Sequence, residues 1–234
     1  MNRKQEIIAI VPARKGSKRV EGKNIRMLGG KPLLFHTIDS LIGHDEIKKI
    51  VFTSDSDEYI ELVSASYSEQ VVCLRRPDEF GLDKAKIFDE IVRLKNEGEL
   101  ECSWFLLCLP TSPFRDKKMI ADLITKWNVE RRPLFGATHY SFPVQFAFSL
   151  DSKIGWSAVF DDSPMLTGNT RSQELQQFYR PNGAFYLQKV AALSTDKTFY
   201  INALPFLMDE TDSLDIDNEI DFALVEQLWK LRNA

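Results

Sequence analysis

The chain has 234 residues, 44% of them hydrophobic, with a formal net charge of −4 from 30 Lys and Arg against 34 Asp and Glu. At about 150 residues per domain this suits one globular domain with an elaboration, long enough to bury roughly 70% of its unfolded surface. Near-balanced charge excludes a generic nucleic-acid binder, which needs a basic excess to displace counterions from the phosphate backbone, so any affinity for anions must be local. Residues 7–11 form a continuous apolar run closed by Pro12, the pattern of a strand buried on both faces of a parallel sheet. Leu33, Leu34, Ile38, Leu41 and Ile42 then recur at helical spacing, with Gly43 as the stop. A second strand is expected over 50–53, followed by a helix over 58–68. A third short strand over 71–74 precedes a helical face of Ile87, Ile91 and Leu94 that ends near Gly98. Residues 104–109 read as a fourth buried strand, and Ile120, Leu123, Ile124 and Trp127 as a helix before a strand over 134–138.

This alternation predicts an α/β fold with a largely parallel, twisted sheet and helices on both faces, joined by right-handed βαβ units. The pattern changes over 141–178, where aromatics, turn residues and short alternating segments over 145–150 and 156–160 predict a β-rich excursion without a helix. The excursion packs either on a partner subunit or back on its own domain; composition does not choose. Strands are then expected over 184–187 and 199–203, and an amphipathic helix over 219–231. The predicted organisation is an α/β domain of residues 1–140 and 179–234, interrupted by the excursion.

Cys73, Cys102 and Cys108 are odd in number and lack a CxxC pair, so neither a disulfide framework nor a thiolate zinc site is expected. No stretch reaches the roughly 20 apolar residues of a membrane span, and the N-terminal apolar run is a poor signal-peptide core. The expectation is a cytoplasmic protein with no membrane or nucleic-acid partner.

The segment Ala13-Arg-Lys-Gly-Ser-Lys-Arg-Val-Glu-Gly-Lys-Asn24 holds five basic side chains, two glycines and a serine directly after the first strand. In open α/β sheets ligands collect beyond the carboxyl ends of the strands. Glycines let backbone N–H groups approach phosphate oxygens while Lys and Arg supply charge, so the segment reads as a polyphosphate cradle. It is not a Walker A loop. Gly16 and Gly22 enclose five residues where that motif has four, and Asn24 follows Lys23 where a Ser or Thr is needed. Asp215 and Asp217, at i and i+2 in an extended segment, fall on one side and are able to share a divalent ion. Spacing alone favours a different role, in which Asp217 caps the last helix.

The stretch Ile10-Val-Pro-Ala-Arg-Lys-Gly-Ser-Lys18, with Lys23-Asn24, resembles the nucleotide-binding opening of the acylneuraminate cytidylyltransferases. Gly30-Lys31-Pro32-Leu33, Thr53-Ser54-Asp55, Leu74-Arg75-Arg76-Pro77, Pro110-Thr111-Ser112-Pro113-Phe114-Arg115, Arg180-Pro181-Asn182-Gly183-Ala184 and Asp215-Ile216-Asp217 follow in the family's order. The resemblance implies a Rossmann-like nucleotidyltransferase fold and transfer of a cytidylyl group from CTP to a 2-keto-3-deoxy sugar acid, with release of pyrophosphate. It assigns Arg14, Ser17, Lys18, Lys23 and Asn24 to the phosphates, with Arg14, Lys23 and Asp217 central to catalysis. It also makes Asp215 and Asp217 ligands of Mg2+ and gives Arg76 and the backbone of Ala85 to the cytosine. Leu109, Arg171, Arg180, Asn182 and Gly183 fall beside the sugar, with the two arginines suited to hold its carboxylate.

Two departures bear on the substrate. Lys84, Lys86 and Ile87 replace small hydroxyl residues near the expected base site, and Leu109 stands where sialic-acid enzymes commonly carry glutamine. The second change alters which N-acyl or hydroxyl pattern is accepted, so a related bacterial nonulosonate or an eight-carbon keto acid such as Kdo fits as well. A nucleotide-sugar-dependent glycosyltransferase is the alternative enzyme class, although the order of basic loop and acidic pair suits nucleotidyl transfer. The family resemblance further implies a homodimer formed through the excursion. His36, His44 and His139 are scattered and read as surface or packing residues.

Overall fold

All six residues of Ile7–Pro12, strand β1, are buried. The structure is a computed structural model that describes residues 7–17, 19–81, 86–169, 171, 174–194 and 197–233. Side chains alternate across a strand. Ile7, Ala9 and Val11 therefore enter one hydrophobic cluster, and Ile8 and Ile10 another on the opposite face. Helices α1 (Leu33–Leu41), α2 (Asp57–Tyr67) and α4 (Lys117–Glu130) cover the first face with Leu34, Ile38, Val63, Ile120 and Trp127. Helix α3 (Ile87–Asn96) covers the second with Ile91 and Leu94. Burial on both faces explains why the sheet strands read as unbroken apolar runs.

Strands β4 (Ile47–Ser54), β5 (Val71–Arg75), β6 (Trp104–Cys108), β7 (Leu134–His139), β10 (Tyr179–Lys189) and β11 (Leu204–Leu207) complete a seven-stranded sheet in the order β11-β7-β10-β6-β1-β4-β5. Only β10 runs against its neighbours, β6 and β7. The chain leaves β1 for β4 and β5 on one side and then returns to β6 on the other. The loops after β1 and β6, neighbours in the sheet, emerge side by side at its carboxyl edge, where ligands collect in open α/β folds. A small hairpin of β2 (Met27–Leu28) and β3 (Lys31–Pro32) leads into α1.

Two expectations need correction. The strand expected over 199–203 is a run of turns, and pairing begins at Leu204 against Leu134. Phe199 is buried and packs its ring on Phe88, Phe105 and Tyr186, while Asn202 takes a left-handed φ of 56°, which breaks an extended run. Residues 141–178 also contain one helical turn, α5 (Pro164–Thr167), capped by the Ser163 hydroxyl and closed at Gly168. Proline at the first helical position and glycine just past the end were its sequence signals. The rest of that segment holds the hairpin β8 (Phe148–Asp151) with β9 (Gly155–Ala158), which forms a separate two-stranded sheet. Helix α6 (Glu219–Arg232) closes the molecule, placing Phe222 and Val225 in a third cluster with Val20, Leu33 and Ile216.

Candidate active site at the sheet's carboxyl edge

A cleft of about 520 Å³ is lined by the loops after β1 and β6. Among the described residues, its lining holds the basic side chains Arg14, Arg19, Lys23 and Arg76 against one carboxylate, Asp217. Ser17, Asn24, Thr111 and Pro110 add polar and backbone surface, and Phe80, Ile87 and Leu109 an apolar wall.

The basic loop is fastened at several points. Ala13 donates its backbone N–H to the Thr53 carbonyl at 2.9 Å, extending the β1–β4 pairing beyond the strand. Lys15 donates its backbone N–H to Asp55 Oδ1 at 2.8 Å. Asn24 is buried, and its side-chain amide donates to the Arg14 carbonyl at 3.0 Å, drawing the loop's two ends together. Val20, fully buried between Arg19 and Glu21, ties the loop into the α6 cluster. Charged groups thus face the cleft from a backbone held by apolar and amide anchors.

The Asp215-Ile216-Asp217 segment is built on the same plan. Ile216 is fully buried and leaves its two acidic neighbours on the opposite side. Its N–H donates to the Thr111 carbonyl at 2.9 Å, and Lys23 Nζ donates to its carbonyl at 2.5 Å. Asp217 does not cap the last helix: Asn218 does, accepting from the N–H groups of Ile220 and Asp221, while the Asp221 carboxylate accepts from Asn218 in return. That capping box leaves Asp217 to pair with Arg19 at 2.9 Å.

The local electrostatics follow from this crowding. Lys23 has its pKa lowered by burial, opposed by Asp215 and Asp217. Asp215 keeps part of its surface exposed, and desolvation by the surrounding protein raises its pKa, opposed by a hydrogen bond from Thr111 and reinforced by Asp217. Arg76 is 4% exposed, and burial lowers its pKa against the pull of Glu90 and Asp55. Asp217 on the cleft wall and Asp215 two residues before it offer carboxylate oxygens. Hard ions such as Mg2+ take one or two carboxylates and complete their shell with substrate phosphates, so the residues present fit that ion.

The structure gathers Arg14, Ser17, Lys23, Asn24, Arg76, Leu109 and Asp217 around one cleft, with Asp215 beside it. Lys18 and Ala85 lie outside the described residues. Arg171 is exposed and pairs with Glu174 at 3.1 Å, and Arg180 is exposed on β10 opposite Thr138; neither lines the cleft of this single chain. Asn182 is buried in a bulge of β10, where its side-chain Nδ2 donates to Ser213 Oγ at 2.9 Å and its Oδ1 accepts from Ala184 N–H at 3.1 Å. Gly183 follows at φ 75°, a conformation that favours glycine, and gives the bulge its turn. Sequence reading did not single out Arg19, Phe80 or Thr111. Arg19 belongs to the basic segment and Thr111 to the Pro-Thr-Ser-Pro motif, so both carried a signal; Phe80 had none. None of His36, His44 and His139 lines the cleft.

Residues 8–232 match the cytidylyltransferase family. The N-acylneuraminate cytidylyltransferase of Escherichia coli is 32% identical over 231 residues, which are 97% of this chain and 53% of that protein. The CMP-N,N'-diacetyllegionaminic acid synthase of Legionella pneumophila is 30% identical over 232 residues, 96% of this chain and 97% of that protein. A pseudaminic acid cytidylyltransferase of Campylobacter jejuni is 29% identical over 97% of both chains. The chain therefore spans about half the length of the Escherichia coli relative and nearly all of the other two. Among solved structures, a CMP-2-keto-3-deoxy-manno-octonic acid synthetase complexed with CTP aligns with a TM-score of 0.69 at 14% identity, over 97% of this chain and 100% of the other. The 4-diphosphocytidyl-2C-methyl-D-erythritol synthase of Anaerococcus prevotii aligns with a TM-score of 0.65 at 14% identity, over 97% and 96%. At that identity the two structures speak for a shared nucleotidyltransferase fold.

Proposed function

Because the chain belongs to the cytidylyltransferase family, as its motifs implied, we propose that it transfers a cytidylyl group from CTP to the anomeric hydroxyl of a nine-carbon 2-keto-3-deoxy sugar acid, releasing pyrophosphate. The observation that carries the reading is the cleft's charge, four basic side chains against one carboxylate among the described lining residues. A polyphosphate with about four negative charges matches it. Relatives named for N-acylneuraminate, legionaminic acid and pseudaminic acid support a nonulosonate as acceptor.

Nucleotidyl transfer asks an enzyme for positioning and charge neutralisation more than for covalent chemistry. Arg14, Arg19 and Lys23 hold the triphosphate from the basic loop, with Ser17 and loop N–H groups as further donors. Lys23 stands between that loop and the Asp215–Asp217 segment, so one ammonium keeps both halves of the site in register. Arg76 takes the cytosine end, where Phe80 and Ile87 supply apolar surface. Leu109 and Thr111 border the sugar, and the apolar Leu109 favours a deoxygenated or methyl-bearing substituent over one that needs an amide partner. Asp215 and Asp217 would hold a Mg2+ ion, whose charge would offset the phosphates and favour ionisation of the acceptor hydroxyl.

The second half of the proposal is a cytoplasmic homodimer. The hairpin β8–β9 leaves Phe148, Leu150, Ile154 and Trp156 exposed on a two-stranded sheet, an element of marginal stability by itself. A second copy covering it would bury that surface and bring Arg171 and Arg180 into a shared environment. Among the described residues no helix is long and apolar enough to cross a membrane.

The test is a pyrophosphate-release assay crossing the four nucleoside triphosphates with N-acetylneuraminate, legionaminic acid, pseudaminic acid and Kdo. Release with CTP and a nine-carbon acid is the expected result. Release with no acid refutes the transferase reading, and release with Kdo alone moves the acceptor to the eight-carbon class.

A further inference from the structure

Asp55 stands at the end of β4, between the loop that leaves β1 and the loop that leaves β5. Its Oδ1 accepts the Lys15 backbone N–H at 2.8 Å, and the same atom lies 3.7 Å from a terminal nitrogen of Arg76. The contact is shielded, with the Asp55 side chain 14% exposed and that of Arg76 5%. Backbone pairing sets up the encounter, because Ala13 N–H bonds the Thr53 carbonyl and Arg76 N–H bonds the Ser54 carbonyl.

Arg76 is buried, but its Nε and one terminal nitrogen find no hydrogen-bond acceptor among the described residues, so charge is what orients that edge of the guanidinium. The nearby carboxylates are Glu90 and Asp55. Glu90 is already engaged, accepting from Thr53 Oγ1 at 2.5 Å and from two nitrogens of Arg93 at 2.8 and 2.9 Å. Asp55 therefore offers the less committed charge, and its position is fixed by the loop that surrounds the phosphates.

We propose that Asp55 is a positioning residue that couples the phosphate loop to Arg76, so that one carboxylate sets the grip on the triphosphate and the grip on the base together. This deepens the cytidylyltransferase reading of the cleft and rests on it. The residue itself touches neither substrate: its carboxylate fixes a backbone N–H on one side and orients a guanidinium on the other.

Two substitutions separate the two arms. Asp55→Asn keeps the acceptor for Lys15 N–H and removes the charge beside Arg76, whereas Asp55→Ala removes both. Titration calorimetry with CTP and with CMP reads them, since both ligands carry the base and only CTP engages the loop through its β- and γ-phosphates. The Asn variant is expected to weaken CTP and CMP alike, by about fivefold, the worth of one modest polar interaction. The Ala variant is expected to match it for CMP and to lose about fivefold more for CTP. In turnover both raise the KM for CTP while kcat changes little, a split that general loosening of the fold does not produce. Wild-type CTP affinity in Asp55→Asn, or equal losses for CTP and CMP in both variants, overturns the coupling. If the Ala variant fails to fold, the isosteric Asn variant decides alone. Failure of the wild-type chain to bind CTP strikes instead at the reading of the cleft.

Discussion

Arg19 and Asp217 meet at 2.9 Å across the lip of the cleft, although 198 residues separate them in the chain. Both side chains are more than half exposed, so the pair is loosely held, at about 0.2–1 kcal/mol. On the proposed function it sets a competition, because a divalent ion at Asp217 would displace Arg19 while a triphosphate would offer Arg19 another partner. Arg19→Ala should therefore raise Mn2+ affinity in the absence of nucleotide, by about two- to fivefold, and lower CTP affinity. Manganese titration followed by paramagnetic resonance reads the first effect and calorimetry the second. A loss of Mn2+ affinity would show that Arg19 supports the ion site instead of competing for it.

Asp217→Ala should cut pyrophosphate release by about a hundredfold or more, because it removes half of the proposed ion site. The fold should survive. Asp217 is exposed and Asn218 performs the capping, so stability should move by no more than about 0.5 kcal/mol. Retained turnover in a folded variant would take Asp217 out of the mechanism.

Asn182→Ala should lower the melting temperature by several degrees. The change leaves Ser213 and the Ala184 N–H without their partner, at a cost of about 1–3 kcal/mol. Gly136→Ala should act on the same spot, since a Cβ there would run into the Asn182 amide. Calorimetric unfolding of both variants checks this, and an unchanged melting temperature in Asn182→Ala would leave its amide for substrate.

Burial lowers the pKa of His36, aided by Lys31 and opposed by Asp39 and by its hydrogen bond to the Leu28 carbonyl. Below its ordinary value of about 6.5 the unfolded chain takes up a proton more readily than the folded one. The neutral imidazole thus contributes its full stability above pH 6.5, and the contribution fades as the pH falls. Denaturant unfolding at pH 7.5 and 5.5 should show a larger acid-side loss for the wild type than for His36→Gln, with a slope of up to about 1.4 kcal/mol per pH unit. Parallel losses would assign the acid sensitivity to other groups.

Leu150→Glu combined with Trp156→Glu should convert the proposed dimer to a monomer in sedimentation velocity, since both side chains lie exposed on the hairpin. A wild-type monomer, or a variant that still dimerises, would move the interface elsewhere.

The central strands were legible because both faces of the sheet are buried, which writes each strand as an apolar run. The terminal aspartates were legible by motif, but not their setting. Which of Asp217 and Asn218 caps the helix depends on backbone angles that spacing does not encode. Arg19 sat in plain view among basic residues, yet its meeting with Asp217 depends on the close of α6. Asn182 shows the opposite limit, because a polar residue before a glycine reads the same whether its amide faces a ligand or a buried serine. The strand expected at 199–203 shifted because Phe199 goes into the core and Asn202 turns left-handed, a tertiary outcome that overrides local propensity.

Val20 and Ile216 lie in one apolar cluster, each next to the charges it steadies, and Lys23 spans 193 residues to reach the Ile216 carbonyl. The timing of synthesis follows from that geometry. At about 5–20 residues per second, the ribosome delivers the acidic half of the site roughly 10–40 s after the basic half. Throughout that interval the loop has its early partners Asp55 and Glu58 and lacks Asp217 and the Ile216 carbonyl. The cleft therefore closes its lining only late in synthesis, when residues 215–217 and the last helix dock against the loop.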